Sequence, residues 1–312
     1  MKIRRILATT LPMLLFTILT VTSLYASPAN FTQAKTLMKQ VYEDNPVTFY
    51  CECSITWQGN KGAGTIDLEG CGYKIRRNET RASRVEWEHV LPAHSFGHQR
   101  LCWQDGGRSN CVRTDPVFRA MEADMHNLTP AIGEVNGDRS NYRFGVLPTT
   151  DYQHGSCDFK VDFQQRVAQP RPEIRGDIAR IYFYMHDRYN LRMSDSQEKL
   201  LIAWHKQDPV DEWELERDRR IAGHIGHSNP FVTGERTWHR GYRPTGDGLT
   251  ENATSNQPPI DLTGPVRGNQ RSKIFHRPDC PGYDTISEHN RVEFASPKAA
   301  EDAGYRIAGN CP

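Results

Sequence analysis

Three stretches of this chain crowd polar and ionisable side chains beyond what a fold alone requires. They are Arg84-Val85-Glu86-Trp87-Glu88-His89-Val90, Asp124-Met125-His126-Asn127-Leu128-Thr129-Pro130 and Gly133-Glu134-Val135-Asn136-Gly137-Asp138-Arg139. A Glu-His pair such as Glu88-His89 can serve proton transfer, although such pairs are more often surface groups or satisfied hydrogen-bond partners. An Asn ahead of a Leu, as at Asn127, is usually a cap or turn residue. His94, His98, His224 and His227 have spacings that suggest a metal site. His94 and His98 read as structural, and the other two as surface. Singly, none of these features carries a function.

Their order along the chain does. Phe49-Tyr50-Cys51-x-Cys53, Cys71-Gly72-Tyr73, Arg81 to Val90, Phe96-Gly97-His98-Gln99, Cys102-Trp103-Gln104-x-Gly106-Gly107-Arg108, Met125-His126-Asn127-Leu128 and Gly133 to Arg139 follow one another in a sequence that resembles bacterial endonuclease I. The resemblance runs from about Phe31 to Val232. It implies a ββα-metal (His-Me finger) nuclease fold, α+β in class and mainly helical with short strands. Carried over residue by residue, it makes His89 the general base, Glu88 and Asn136 the metal ligands, and Arg108 the phosphate contact. Asn127 becomes a residue that helps position the site without touching the substrate.

These types suit phosphodiester hydrolysis, which needs an in-line water, a base to take its proton and positive charge on the phosphate. An imidazole with a pKa near 6.5 is mostly neutral at neutral pH and accepts that proton. Glu88 and Asn136 offer only oxygen, which suits Mg²⁺ or a similar hard divalent cation and leaves most of the shell to water and phosphate. The implied mechanism uses a single metal and leaves 5′-phosphate ends. One tension remains: neighbouring residues of a regular strand point to opposite faces. Pro92 predicts that the strand ends near Leu91, and a bend there is expected to bring Glu88 and His89 to one phosphate.

Several elements must position these groups. Asn30 caps a helix expected over Phe31 to Glu43, and the alternation from Thr48 to Ile55 predicts a strand with Cys51 and Cys53 on one side. Asp115-Pro116 opens a second helix. The apolar stripe from Ile174 to Tyr189 predicts the longest one, over Glu173 to Tyr189. Two more are expected over Ser194 to Lys206 and Pro209 to Ala222.

The chain opens with Lys2, Arg4 and Arg5 and an apolar run to about Tyr25. This reads as a signal peptide over residues 1–26, placing the protein in the periplasm or the medium, with no membrane segment in the mature form. Without those three bases the chain is slightly acidic, so net charge does not point to nucleic acid. Locally, residues 72–119 hold nine Lys or Arg against five acids, a candidate phosphate-binding face. All eight cysteines lie beyond the leader, and an even count in an exported chain favours disulfides. Cys102 and Cys111 are the pair singled out, because Asp105-Gly106-Gly107 turns the chain between them; the other pairings stay open.

The nuclease-like region covers residues 27–238. Relatives usually carry two further cysteines where this chain has Trp213 to Glu216 and Arg236 to Trp238, so the last helices are expected to be less stable. Residues 239–268, rich in Gly, Pro, Thr, Asn and Asp, read as a flexible linker. Residues 269–312 form a small α+β module with a helix expected over Pro297 to Ala303. Phe275 to Pro281, Asn290 to Phe294 and Ala299 to Pro312 are similar to the zinc-binding domain of the Ada repair protein. Its four cysteine positions fall on His276, Cys280, Ala308 and Cys311, so a Cys280–Cys311 disulfide is expected rather than a zinc site. Lys273, Arg277, Arg291 and Arg306 give this tail a possible hold on nucleic acid; a protease-resistant cap or a protein contact serves equally well.

The sequence therefore predicts an exported, monomeric, Mg²⁺-dependent endonuclease acting on DNA, and on RNA as well. The rival from another class is an exported nucleic-acid-binding protein without catalytic activity. A zinc hydrolase is disfavoured, because no two-His motif is followed by a third ligand.

Overall fold

The computed structural model describes residues 27–249, 265–278, 280, 282–283 and 286–308. The leader expected over residues 1–26, and Cys311, lie outside the described residues. The architecture is mixed α+β, with many helices and short strands.

Helix α1 (Phe31–Val41) begins where Asn30 Oδ1 accepts the Gln33 amide, 3.0 Å away. The strand expected over Thr48 to Ile55 does not form. The Thr48 amide donates to the Cys53 carbonyl and Glu52 turns left-handed at φ 56°, which closes a tight loop and breaks the alternation. Cys51 and Cys53 therefore diverge, to Cys157 and Cys71. Strands β1 (Ile55–Gln58) and β2 (Ala63–Ile66) follow as an antiparallel hairpin.

Next come helix α2 (Glu79–Ala82), strand β3 (Val85–His89) and helices α3 (Ala93–Gly97), α4 (Leu101–Gln104), α5 (Gly107–Thr114) and α6 (Pro116–Glu122). Asp115 caps α6 through the Phe118 amide, with Pro116 at the first helical position, as the sequence predicts. The Cys102–Cys111 disulfide staples α4 to α5. Strand β4 (Leu128–Ile132) lies antiparallel to β3, pairing Val85 with Ile132 and His89 with Leu128, and runs straight into helix α7 (Gly133–Arg139). Gly133 is needed at that junction, since a Cβ there would sit 2.4 Å from the Arg81 carbonyl oxygen.

A three-stranded sheet of β5 (Arg143–Phe144), β6 (Lys160–Asp162) and β7 (Val167–Gln169) leads to helices α8 (Arg175–Arg188), α9 (Asp195–Gln207) and α10 (Glu212–Ile225). Ser194 and Asp211 cap the last two. One hydrophobic core joins Val85, Ala131 and Ile132 of the strand pair to Ile178, Ile181 and Phe183 of α8. A second packs Trp87 and Leu128 against Met38 of α1 and Ile221 of α10. The strand pair is thus clamped on both sides, which fixes the backbone that presents residues 86–89.

The region expected to be a linker from His239 onward is partly ordered. Tyr242 stacks on Trp238 at 4.6 Å, the Thr245 amide donates to Asp187, and Asp247 pairs with Arg236 at 3.0 Å. One aromatic and two charged anchors thus hold a Gly- and Pro-rich stretch that composition assigns to a tether. At the other end, Val266–Asn269 is already strand β8. With β9 (Ile274–His276), β10 (Arg291–Phe294), helix α11 (Pro297–Asp302) and β11 (Arg306–Ile307), it builds a four-stranded sheet around a small core of Val266, Phe275, Ala300 and Tyr305. Cys280 is disulfide-bonded, so it offers no thiolate to a metal.

Candidate active site

A cavity of about 510 Å³ lies along β3, lined among others by Phe31, Glu86, Glu88, His89, Arg108, Asn136 and Arg139. Among the described residues strand β3 pairs with β4 alone, and a single bridge joins Arg84, just before β3, to Thr65. Along the open edge, residues from both faces reach the same space. This resolves the alternation problem without a bend: β3 stays in register to His89, and the bend expected near Leu91 is not what brings the two side chains together.

His89 is 7% exposed, and its Nε2 lies 2.8 Å from the Glu122 carbonyl oxygen. A carbonyl only accepts, so Nε2 carries the proton and Nδ1 keeps its lone pair. Phe31 packs on the ring at 4.7 Å and Phe96 at 6.3 Å, which restricts its rotation. Burial, reinforced by the Arg108 and Arg139 charges, lowers its pKa to about 3. The imidazole is therefore a neutral acceptor across the physiological range.

Glu88 points to the other face. Its Oε1 accepts from the Tyr50 hydroxyl at 2.8 Å and faces Arg139 Nη1 at 3.2 Å, while Oε2 takes no hydrogen bond among the described residues. Burial pushes its pKa up to about 7, although Arg139 and Tyr50 both pull it down. Asn136, on α7, donates Nδ2 to Glu86 Oε2 at 3.0 Å. A carboxylate only accepts, so this bond leaves the amide oxygen Oδ1 as the free end. A spare carboxylate oxygen and a spare amide oxygen lining one cavity fit a hard divalent cation. No group of three or more His, Cys, Asp or Glu side chains is arranged for a metal among the described residues. An ion here would take the rest of its shell from water and phosphate.

Arg108, on α5, is held by its Nε, which donates to Glu122 Oε1 at 2.7 Å. Both Nη groups are left without a hydrogen bond among the described residues. Glu122 thus fixes two candidate residues at once, His89 through its carbonyl and Arg108 through its carboxylate. Asn127 is fully buried and does not line the cavity. Its Oδ1 accepts the Leu91 amide at 2.7 Å and its Nδ2 donates to the Leu91 carbonyl at 3.0 Å, pinning the chain where β3 ends.

Glu122 and Arg139 escape a reading of the sequence. Arg139 has 0% exposure, pairs with Glu88 and donates to the carbonyls of His89 and Val90. The available signal was an acid, Glu122, set between Met121 and Ala123 in an otherwise apolar helix end. Much of the basic charge in residues 72–119 is also spoken for: Arg76 pairs with Asp138, Arg81 and Arg84 with Glu86, and Arg100 with Asp115. Of the four histidines with metal-like spacing, His94 and His98 stack on each other at 4.5 Å on a short surface helix. His227, read as a surface group, is half-buried, with its Nε2 2.9 Å from the Tyr184 hydroxyl.

A family model described as Endonuclease I matches residues 26–235, and another described as ArfC matches residues 243–307. The second description differs from the Ada-type domain that the tail resembles. The chain is 50% identical over 222 residues to an extracellular deoxyribonuclease of Aeromonas hydrophila, covering 71% of this chain and 96% of that protein. It is 49% identical over 230 residues to a periplasmic deoxyribonuclease of the same species, covering 73% and 96%. Over 127 residues it is 32% identical to an extracellular ribonuclease of Bacillus subtilis, covering 35% of this chain and 43% of that one.

Proposed function

We propose a specific chemistry for a chain that belongs to the endonuclease I family: hydrolysis of DNA, and of RNA, by a neutral histidine base beside a single hard divalent cation. The protein is an exported nuclease, of the periplasm or the medium. Among its described residues no helix is long and apolar enough to cross a membrane. The strand pair and following helix are read here as a ββα-metal finger. The ribonuclease name of one relative motivates the RNA substrate, which the shared segment reaches only in part.

Glu88 Oε2 and Asn136 Oδ1 are assigned to the cation, with Mg²⁺ the natural fit to two oxygen donors. The cation, when bound, supplies positive charge to the scissile phosphate and its leaving oxygen. His89 Nδ1 takes the proton of the attacking water while Nε2–H stays on the Glu122 carbonyl, so the ring need not turn during the step. Arg108 meets the charge that develops on the phosphate with its two free Nη groups. Breaking the bond from phosphorus to the 3′ oxygen leaves a 5′-phosphate. Contacts of this kind reach phosphate and metal rather than bases, which accounts for low sequence specificity.

The observation that carries the reading is the tautomer of His89, whose Nε2–H is fixed on the Glu122 carbonyl so that Nδ1 keeps its lone pair, on a ring that lines the same cavity as Glu88 and Asn136. The test is plasmid DNA incubated with the oxidised protein and Mg²⁺, with and without chelator, beside His89→Ala. Wild type should degrade the plasmid, chelator should stop it, and His89→Ala should bind DNA without cutting it. Binding without cleavage by wild type in saturating Mg²⁺ would instead mark a nucleic-acid-binding protein.

A further inference from the structure

A second cavity, of about 250 Å³, adjoins the first and has no role in the chemistry above. It is lined by Arg76, Arg77, Asn78, Arg81, Glu134, Gly137 and Asp138. The wall between the two is the Arg81–Glu86 ion pair: Glu86 lines the catalytic cavity, Arg81 the second. Consecutive residues of α7 also face the two spaces, Asn136 the first and Gly137 the second.

Most of the charge in this cavity is committed to structure. Glu134 accepts the backbone amides of Arg76, Arg77 and Asn78, which locks the loop. Arg76 forks onto Asp138 at 2.5 and 2.7 Å. Arg77 differs. It is exposed, lines the cavity, and its side chain makes no ion pair or hydrogen bond among the described residues.

Beyond Arg76 the surface turns aromatic. The Arg76 guanidinium sits 4.7 Å from the centre of the Phe163 ring, and Tyr142 meets the same ring edge-on at 6.4 Å. Phe163 nevertheless remains 42% exposed. Arg166 covers the half-buried Tyr142 at 5.4 Å and donates from Nη2 to Asn141 Oδ1 at 3.1 Å. Because Asp138 anchors Arg76, the Phe163 ring rests on a fixed base rather than on a mobile side chain. An unpaired cation, Arg77, near an exposed aromatic ring, Phe163, suits the holding of single strands, with a phosphate on the cation and a base on the ring.

We propose that this face takes the substrate strand beyond the cleaved bond, Arg77 holding a backbone phosphate and Phe163 stacking on an unpaired base. The proposal rests on the nuclease reading for its substrate and makes single-stranded nucleic acid, or a locally opened duplex, the form that gains from the face.

The test is made so that its failure is separable from failure of that reading. The full chain carrying His89→Ala is titrated, in chelator, with a labelled single-stranded oligodeoxynucleotide and with a blunt duplex of the same length. Phe163→Ala should weaken single-strand binding about tenfold and duplex binding less than about twofold. Arg77→Ala should weaken both and reduce the slope of log affinity against log salt by about 1. Phe163→Tyr should bind as the parent does, and unchanged thermal unfolding should accompany every variant. In the active protein, Phe163→Ala should raise KM on single strands and leave kcat alone. Single-strand binding unaffected by Phe163→Ala, or equal losses on both substrates, overturns the proposal. Absent cleavage by wild type bears only on the nuclease reading, since the binding titration needs no turnover.

Discussion

The part of the nuclease domain that surrounds the cavity and the part built from α8, α9 and α10 are held together by different means. Around the cavity, three disulfides tie Cys51 to Cys157, Cys53 to Cys71 and Cys102 to Cys111. The helical part has no cysteine at all between Cys157 and Cys280. It relies on buried arginines. Arg180, with 0% exposure, donates to Glu214 at 2.7 Å and to the Asp208 carbonyl at 2.9 Å. Arg217 donates to the carbonyls of Met125, His126 and Leu128, and so ties α10 to the start of β4. A covalent link constrains the unfolded chain and tolerates imperfect surroundings, whereas a buried ion pair is stable only while both partners stay in place.

That contrast bears on the expectation that the last helices would be weaker for want of two cysteines. At the very positions concerned the structure places Glu214, the partner of Arg180, and Trp238, which stacks on Phe183 at 5.0 Å. The largest effect should therefore come from breaking the helical part. Arg180→Ala leaves Glu214 buried without its counter-ion and should cost about 3–5 kcal/mol, read as a drop in the unfolding midpoint. Replacing both, Arg180→Met with Glu214→Met, should recover most of that loss. Equal losses in the single and double variants would show that packing, not charge pairing, holds these helices.

Breaking the cross-linked part should be milder in stability and sharper in activity. The Cys102–Cys111 loop is short, and replacing both residues by Ser should cost about 2–3 kcal/mol. Because α5 carries Arg108, activity should fall by more than the change in folded fraction explains. Denaturant unfolding and turnover measured on one preparation check this, and proportional losses would detach the disulfide from the site.

The cavity itself is a local weak point. Glu88 ionises in the folded protein near pH 7, against an ordinary value of 4.5. The folded state thus favours the protonated form, so in the absence of metal the contribution of this group to stability should be fully present below about pH 4.5 and be lost as pH rises through about 7. The decline attributable to this group is about 3 kcal/mol. It appears as the difference between wild type and Glu88→Gln across a pH series, and Mg²⁺ should abolish it. A difference that is flat with pH would mean that Arg139 and Tyr50 already compensate the buried charge.

Much of this molecule could be read in advance, and the pattern of success has a physical cause. Helix starts at Asn30, Asp115 and Ser194 were legible because a cap is a local hydrogen bond between residues two or three apart, whereas the helix expected from Pro209 starts at Glu212, capped by Asp211. The Cys102–Cys111 link was legible for the same reason of proximity. The loop at Cys51 and Cys53 was not, since its apolar alternation matches a strand and the left-handed turn at Glu52 leaves no trace in residue type. Residues Glu88, His89, Arg108 and Asn136 were singled out as candidates through family resemblance, and all four line one cavity. Glu122 and Arg139 stayed hidden because their roles depend on contacts across 33 to 51 positions of chain, with His89 and Glu88 respectively. The open edge of β3 was likewise invisible, because strand order is a property of the fold.

The account stands on His89 Nδ1 accepting the proton of the attacking water. The most direct measurement is turnover of His89→Gly on DNA in saturating Mg²⁺, with and without added imidazole. The expected result is a fall of about 10²–10⁴-fold that free imidazole partly restores, with DNA and metal binding unchanged. Turnover close to wild type, or a loss that imidazole never restores although DNA and metal still bind, would contradict it.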